Sequence, residues 1–219
     1  TDGPYPQKTM ELIYVIRRYF NCWMVRGNRE EYLLNYVKNG RRGWHKGSAS
    51  GSLLYTSENL TQRDYELFET LSIYQIWNQK GFPKFEMCHG SPESSQELLF
   101  KDKRNTRKTL SHLKTDMLLH GHNHVQESYD YRGKKSVNPG SVVIPWYFGG
   151  KAQFSILHGN GHVWEEENLQ LEYDRNEILK EFSSSGLMEI APAWAAVTMH
   201  TIRTGIDLNE TVLLRAMRL

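Results

Sequence analysis

The chain has 219 residues, enough for one domain with a sizeable core or for a domain with a small appendage. Its 27 lysines and arginines nearly balance 25 aspartates and glutamates, so no strong field favours a nucleic-acid or membrane partner. No apolar run approaches the ~20 residues that cross a bilayer, and the two cysteines lack framework spacing, which favours a reduced, cytoplasmic protein.

The first predicted elements are a helix, a short strand and a polar turn. Apolar residues recur at helical spacing in residues 7–20, which predicts an amphipathic helix. Residues 22–25 predict a short buried strand that ends at the polar turn 26–30. Residues 39–52 contain four glycines among basic side chains, a composition typical of a mobile loop.

The next stretch predicts another helix, followed by a hairpin. Residues 60–71 read as a helix, with Thr61 and Asp64 spaced as a capping box at its start. The elements after it are the two strands of a hairpin, a helix and a buried strand, at 73–77, 84–88, 106–113 and 116–119.

The second half is richer in strands. Turn residues separate four short segments that predict antiparallel strands, at 135–137, 141–144, 153–157 and 162–164. Asp174 with Glu177 then predicts a helix start, and Gly186 can end that helix. Beyond it, residues 193–202 and 210–219 read as helices. Apolar side chains of the last helix could cover the domain or a second subunit: Val212, Leu213, Leu214 and Met217.

Polar residues follow several of the predicted strands, and together these elements predict α/β layers around a mixed sheet. Asn28, His89, His122 and His124 each come just after a predicted strand. Because ligand sites in open α/β sheets gather beyond the carboxyl ends of strands, these four side chains are expected to meet.

His122 and His124 have the spacing of ligands to two adjacent metals. In extended backbone, residues at i and i+2 point the same way with Cα atoms ~6 to 7 Å apart, which suits ions ~3.5 to 4 Å apart. Imidazole nitrogen and the Asn28 amide oxygen are acceptable to zinc, manganese and iron. The set contains no carboxylate, so two cations would repel each other, and an upstream aspartate is physically expected.

Four motifs together resemble a known family. Gly27-Asn28, His89-Gly90, Gly121-His-Asn-His124 and Asn138-Pro-Gly-Ser-Val142 are similar, in order and spacing, to the later motifs of the calcineurin-like metallophosphoesterases, in their small bacterial phosphodiesterase-like branch. The resemblance implies a layered β-sandwich of mixed sheets flanked by helices over residues 1–186, with a C-terminal helical extension at 187–219. The family has an Asp-x-His and a Gly-Asp motif before these, so the first strands and a bridging aspartate are expected upstream of Thr1.

The resemblance also implies roles for individual residues. Asn28, His89 and His122 would bind one divalent metal ion, and His124 the other. The two ions would be manganese, iron or zinc, and a hydroxide bridging them would attack phosphorus in a phosphodiester or nucleotide-type substrate. The expected partner is thus a small phosphorylated molecule.

Arg29 departs from the family pattern, in which a histidine at this place protonates the leaving alkoxide. An arginine does not release its proton near neutral pH, but it can bind a phosphoryl oxygen bidentately. We therefore predict a catalytic and substrate-binding role for Arg29 that favours diesters or anhydrides with good leaving groups over alkyl monoesters.

Several alternatives remain open at this point. The chain could be an inactive binding or scaffold protein on the same fold, or could hold a single structural metal with Asn28, His89 and His122. His120 reads as core packing or as support for the ligands. Three consecutive aromatic residues could stack on a nucleobase or pack as a strand end or subunit contact in a homo-oligomer: Trp146, Tyr147 and Phe148.

Overall fold

The computed structural model of the protein describes residues 1–147, 150–206 and 208. The helices are α1 (Pro6–Tyr19), α2 (Asn28–Lys38), α3 (Gly51–Glu58), α4 (Gln62–Thr70), α5 (Arg104–His112), α6 (Arg175–Ser184), α7 (Leu187–Ile190) and α8 (Pro192–Thr204). The strands are β1 (Tyr74–Trp77), β2 (Phe85–Cys88), β3 (Met117–Leu119), β4 (Gln126–Tyr131), β5 (Lys134–Pro139), β6 (Ala152–Gly159) and β7 (Trp164–Leu171).

The strands form two sheets that pack face to face. The first has the order β1-β2-β3-β5-β4, in which β2, β3 and β5 are parallel neighbours and both edge strands are antiparallel. The second is the antiparallel pair β6-β7. Trp77, Phe85 and Met117 of the first sheet pack with Leu157 and Trp164 of the second. The mixed sheet with flanking helices confirms the predicted fold class.

Helices contribute to three further apolar clusters. Leu110 of α5 packs with Cys88 and Leu118 of the first sheet. Helices α1 to α4 share a second cluster, and Tyr55 of α3 joins Phe182 and residues of α7 and α8 in a third. This third cluster spans residue 186, and the domain boundary placed there stays a prediction.

Most predicted elements are confirmed within a few residues: α1, α4, the β1-β2 hairpin, α5, β3, β5, β6, α6 and α8. The capping box is present, because both the backbone N–H and the hydroxyl of Thr61 donate to Asp64 Oδ2, each at 2.7 Å. The Tyr14 hydroxyl donates to the other oxygen of Asp64, at 2.7 Å, and so ties α1 to α4.

The predicted buried strand at 22–25 is wrong. Within the described chain these residues have no ladder partner, and Cys22 is exposed. Two hydrogen bonds attach the segment beside β1: Arg26 N–H donates to the Ser72 carbonyl at 2.8 Å, and Gln75 Nε2 donates to the Met24 carbonyl at 2.5 Å.

Two other predicted strands are turns. At 141–144 the Ser141 hydroxyl accepts a hydrogen bond from Ile144 N–H, which closes a turn after Gly140 with its φ of 84°. At 162–164 the Asn160 side chain accepts hydrogen bonds from the backbone N–H groups of His162 and Val163, at 3.0 Å each. Residues 162 and 163 therefore form a turn, and β7 begins only at Trp164.

Besides the short helix α7, three elements were not predicted. Helix α2 begins at Asn28, inside the stretch assigned to a polar turn, and α3 begins at Gly51, inside the predicted loop. A Cβ at Gly51 would lie 2.7 Å from the Ile190 carbonyl oxygen, so the close packing of α3 on α7 requires glycine there. Strand β4 was missed because it lies at the sheet edge and only Tyr129 and Tyr131 among its six residues pack on the core.

No helix among the described residues is long and apolar enough to cross a membrane. The predicted last helix, with Val212, Leu213, Leu214 and Met217, lies outside the residues that the structure describes.

Candidate metal centre

His89 and His122 meet because they follow two adjacent parallel strands. His89 comes directly after β2, and His122 lies in the loop after β3. The loops are joined where Gly121 N–H donates to the His89 carbonyl at 2.7 Å. The two imidazole centroids are 4.9 Å apart.

Asn28 reaches the same place from the start of α2. Its Oδ1 lies 3.0 Å from His89 Nε2. Gly27, the N-cap residue, permits this approach, because a Cβ there would lie 3.2 Å from the His89 ring and 3.0 Å from Glu30 Oε2. The structure therefore brings together Asn28, His89 and His122. The strand-end argument accounts for the two histidines, whereas Asn28 stands at a helix start and follows no strand.

The donor atoms of this cluster suit a divalent ion. Asn28 Oδ1 and His89 Nε2 lie 3.0 Å apart. An amide oxygen only accepts, so His89 Nε2 carries the proton in this contact, and an ion between the two atoms would replace the hydrogen bond once the ring holds its proton on Nδ1. His122 Nε2 lies 3.2 Å from the Gln96 carbonyl oxygen. A carbonyl only accepts, so Nε2 carries the proton in this contact and Nδ1 keeps the lone pair that a metal needs.

The two histidines are held in the neutral form that binds metal. Burial, with smaller contributions from His122 and His124, lowers the pKa of His89 to about 4. Burial also lowers the pKa of His122 below its ordinary value. At neutral pH neither imidazole carries the second proton that would compete with an ion, and His89 needs only to move its remaining proton from Nε2 to bind through that nitrogen.

The family follows from this arrangement and from its match to known sequences. The family model described as the calcineurin-like phosphoesterase superfamily domain matches residues 7–161, a range that contains all four predicted ligands. The chain belongs to this superfamily. Among curated proteins, none matches the chain.

Two solved structures share the fold of this phosphoesterase chain. A hypothetical protein from Pyrococcus horikoshii aligns with a TM-score of 0.75 and 19% identity, over 94% of this chain and 82% of its own. A metallophosphoesterase from Sphaerobacter thermophilus aligns with a TM-score of 0.70 and 18% identity, over 93% of this chain and 84% of its own. At such identities the likeness concerns the fold alone.

The phosphoesterase loop that carries His122 and His124 is not extended. Both residues have left-handed backbone, with φ of 68° and 56°. The predicted extended geometry is therefore wrong, although histidine is among the residues that adopt this region more readily. Non-glycine residues in such strained conformations gather at functional sites, where the surrounding structure holds them. The His124 carbonyl accepts a hydrogen bond from Trp146 N–H at 2.9 Å, and the His124 ring lies against the Trp146 ring.

A buried asparagine pair holds this loop in place. Asn123, fully buried, donates to the Leu99 carbonyl at 2.5 Å and accepts from Val125 N–H at 2.9 Å. Asn138, also fully buried, donates to Asn123 Oδ1 at 2.6 Å and to the Gly121 carbonyl at 3.1 Å. The sequence singled out Asn138 only as the start of the Asn138–Val142 motif, and Asn123 only as a residue between two histidines, so neither was predicted to hold the loop.

Arg29 is engaged by a carboxylate. Its Nε and Nη2 each lie 2.6 Å from an oxygen of Asp2, and Nη2 also donates to Ser52 Oγ at 2.8 Å. A phosphoryl group would compete with Asp2 for this fork.

His120 is buried at the end of β3, and burial lowers its pKa to about 4, which fits the predicted packing role.

Within the described part of the chain, no carboxylate joins His89 and His122 in a ligand group. There, no group of three or more histidine, cysteine, aspartate or glutamate side chains is arranged to hold a metal. Glu30, the carboxylate beside Gly27, accepts hydrogen bonds from Gly27 N–H and the Thr1 hydroxyl. A separate cleft of about 400 Å³, between α5 and the loop after β2, is lined by none of the four predicted ligands.

Proposed function

We propose that the chain is a metal-dependent phosphoesterase that uses two divalent ions, manganese, iron or zinc, to hydrolyse a phosphodiester or nucleotide-type substrate. The observation that carries the proposal is the meeting of Asn28 Oδ1 with His89 Nε2 at 3.0 Å, beside the His122 ring. Asn28, His89 and His122 would hold one ion, and His124 the other. Bound divalent ions supply an activated water nucleophile and neutralise charge on the phosphoryl oxygens.

The chain's own residues contribute pre-organisation. The ligands lie on two parallel strand ends and a helix start, and the Gly121–His89 hydrogen bond fixes one loop against the other. The Gln96 carbonyl fixes the proton of His122 on Nε2. Because these groups are already oriented and neutral, little reorganisation accompanies binding.

The free thiols Cys22 and Cys88 support a cytoplasmic location.

A substrate panel tests this function and the role of Arg29 together. The full-length protein, reloaded with manganese, is expected to hydrolyse an aryl phosphodiester and to lose that activity on chelation. It should act on an alkyl monoester more slowly, because Arg29 cannot protonate a poor leaving group but can bind a phosphoryl oxygen once Asp2 releases it.

Steady-state rates on the two esters, measured at one metal concentration, separate the possibilities. A preference for the alkyl monoester would contradict the role of Arg29. No hydrolysis of any ester would contradict the enzymatic proposal and favour a binding or scaffold protein on the same fold.

A further inference from the structure

The Trp146 ring lies beside His124, Phe100 packs on Trp146, and Tyr147 is the next residue in the chain. We call these three residues the aromatic wall. Phe148, the third residue of the predicted aromatic run, lies outside the residues that the structure describes. The Trp146 ring meets the His124 ring edge to face, with centroids 6.4 Å apart and planes at 70°. Phe100 stacks on Trp146 at 6.4 Å with planes at 27°. A π-surface therefore adjoins a predicted metal ligand.

The wall is tied to the histidine loop through its backbone. Trp146 N–H donates to the His124 carbonyl at 2.9 Å. Phe100 directly follows Leu99, whose carbonyl accepts from the buried Asn123 side chain. Tyr147 N–H donates to the Gly205 carbonyl at 2.7 Å, at the end of α8. These bonds fix the position of the wall relative to His124.

Tyr147 shows that the wall is more than core packing. Its side chain is 63% exposed, and its φ is 63°. A bulky residue rarely adopts left-handed backbone, and burial cannot explain the cost at so exposed a position. An aromatic ring is thus presented to solvent one residue after Trp146, whose own ring contacts His124.

We propose that the aromatic wall stacks on the nucleobase of a nucleoside phosphodiester whose phosphoryl group lies at the histidine cluster. The inference rests on the proposed phosphoesterase function and deepens it, because it assigns the substrate class and the specificity-determining residues Trp146 and Tyr147. Every nucleobase has a π-face, and stacking on aromatic side chains tolerates different bases. The wall therefore selects for a nucleoside and not for one particular base.

A matched pair of substrates isolates the nucleoside. Thymidine 5′-(4-nitrophenyl) phosphate and methyl 4-nitrophenyl phosphate share the reacting diester and the leaving group, and differ only in the group that stays on phosphorus. The manganese-loaded protein is expected to show a kcat/KM about tenfold or more higher for the thymidine ester, because stacking of one base contributes on that order.

Variants of the wall should remove that preference. Tyr147→Ala is expected to reduce the preference several-fold while the methyl ester rate stays within about twofold, since the base contact alone is lost. Trp146→Leu also removes a contact with the His124 ring, so it should lower both rates, and the thymidine ester rate several-fold more than the methyl ester rate. Trp146→Phe, which keeps a flat ring, should retain most of it. Trp23→Leu is the matched control, because Trp23 is an exposed tryptophan that packs edge-on against Trp77 and, among the described residues, contacts no predicted ligand ring.

Equilibrium binding gives a second readout. By calorimetry, thymidine 5′-monophosphate should bind more tightly than methyl phosphate, and Trp146→Leu should remove the difference. Hydrolysis of both esters at equal kcat/KM would overturn the inference and leave the phosphoesterase function standing. Equal loss of both rates in Trp146→Leu would assign Trp146 to positioning of His124 and also overturn it. No hydrolysis of either ester would instead contradict the function on which the inference rests.

Discussion

His122→Ala is expected to lower kcat/KM on an aryl phosphodiester by more than about 100-fold. Loss of a residue that only hydrogen-bonds to a metal ligand costs up to about 100-fold, and loss of the ligand itself should cost more. The imidazole lies 4.9 Å from that of His89, with its Nδ1 lone pair available and its pKa lowered by burial. Alanine removes one donor from a cluster that offers no carboxylate among the described residues. The ion that polarises the phosphoryl group should then bind weakly.

His162→Ala is the matched control, because His162 is an exposed histidine in the turn before β7. It should leave the rate unchanged within about twofold, as is usual for surface positions away from a site. Both variants should melt near the wild-type temperature. A His122→Ala protein that keeps its folded state and most of its activity would show that His122 is not a ligand of a catalytic ion.

Asn123→Ala is expected to lower the free energy of unfolding by about 3 kcal/mol, since a buried polar group that loses its partner costs about 1 to 3 kcal/mol. Asn123 satisfies the Leu99 carbonyl, Val125 N–H and one N–H of the Asn138 amide, and it is fully buried. Alanine leaves all three groups without this partner. Because the same bonds hold His122 and His124 in left-handed backbone, activity should fall as well.

Urea unfolding of Asn123→Ala and Asn168→Ala measures this cost against a surface asparagine. Asn168 is exposed on β7 and accepts one hydrogen bond from Ser155, so its replacement should change stability by less than about 0.5 kcal/mol. Equal stability of the two variants would mean that the buried asparagine pair does not hold the loop.

Local signals in the sequence predicted much of the fold. The Thr61–Asp64 box marked the start of α4 because the hydrogen bonds that it makes span only three residues. The β1-β2 hairpin, α5 and β3 followed from apolar periodicity and turn residues. The edge strand β4 gave too weak a periodicity, because only Tyr129 and Tyr131 among its six residues pack on the core. The strand predicted at residues 22–25 is absent, because an apolar run has the same pattern in the sequence whether or not a partner strand lies beside it.

The candidate site was predictable as a set of residues but not as a geometry. His89 and His122 could be placed together because parallel strands end at one edge of a sheet. The positive φ of His122 and His124 could not, because it depends on buried bonds from Asn123 and Asn138 that join distant segments. The Arg29–Asp2 pair likewise joins residues 27 positions apart.

The metal content of the full-length protein tests the central claim most directly. After reloading with manganese and desalting, inductively coupled plasma mass spectrometry should find two ions per chain, as a two-metal site requires. His122→Ala should retain fewer, because Asn28 and His89 would then hold their ion without the third donor. A wild-type protein with one ion or none, or a His122→Ala protein with as many ions as the wild type, would contradict the account.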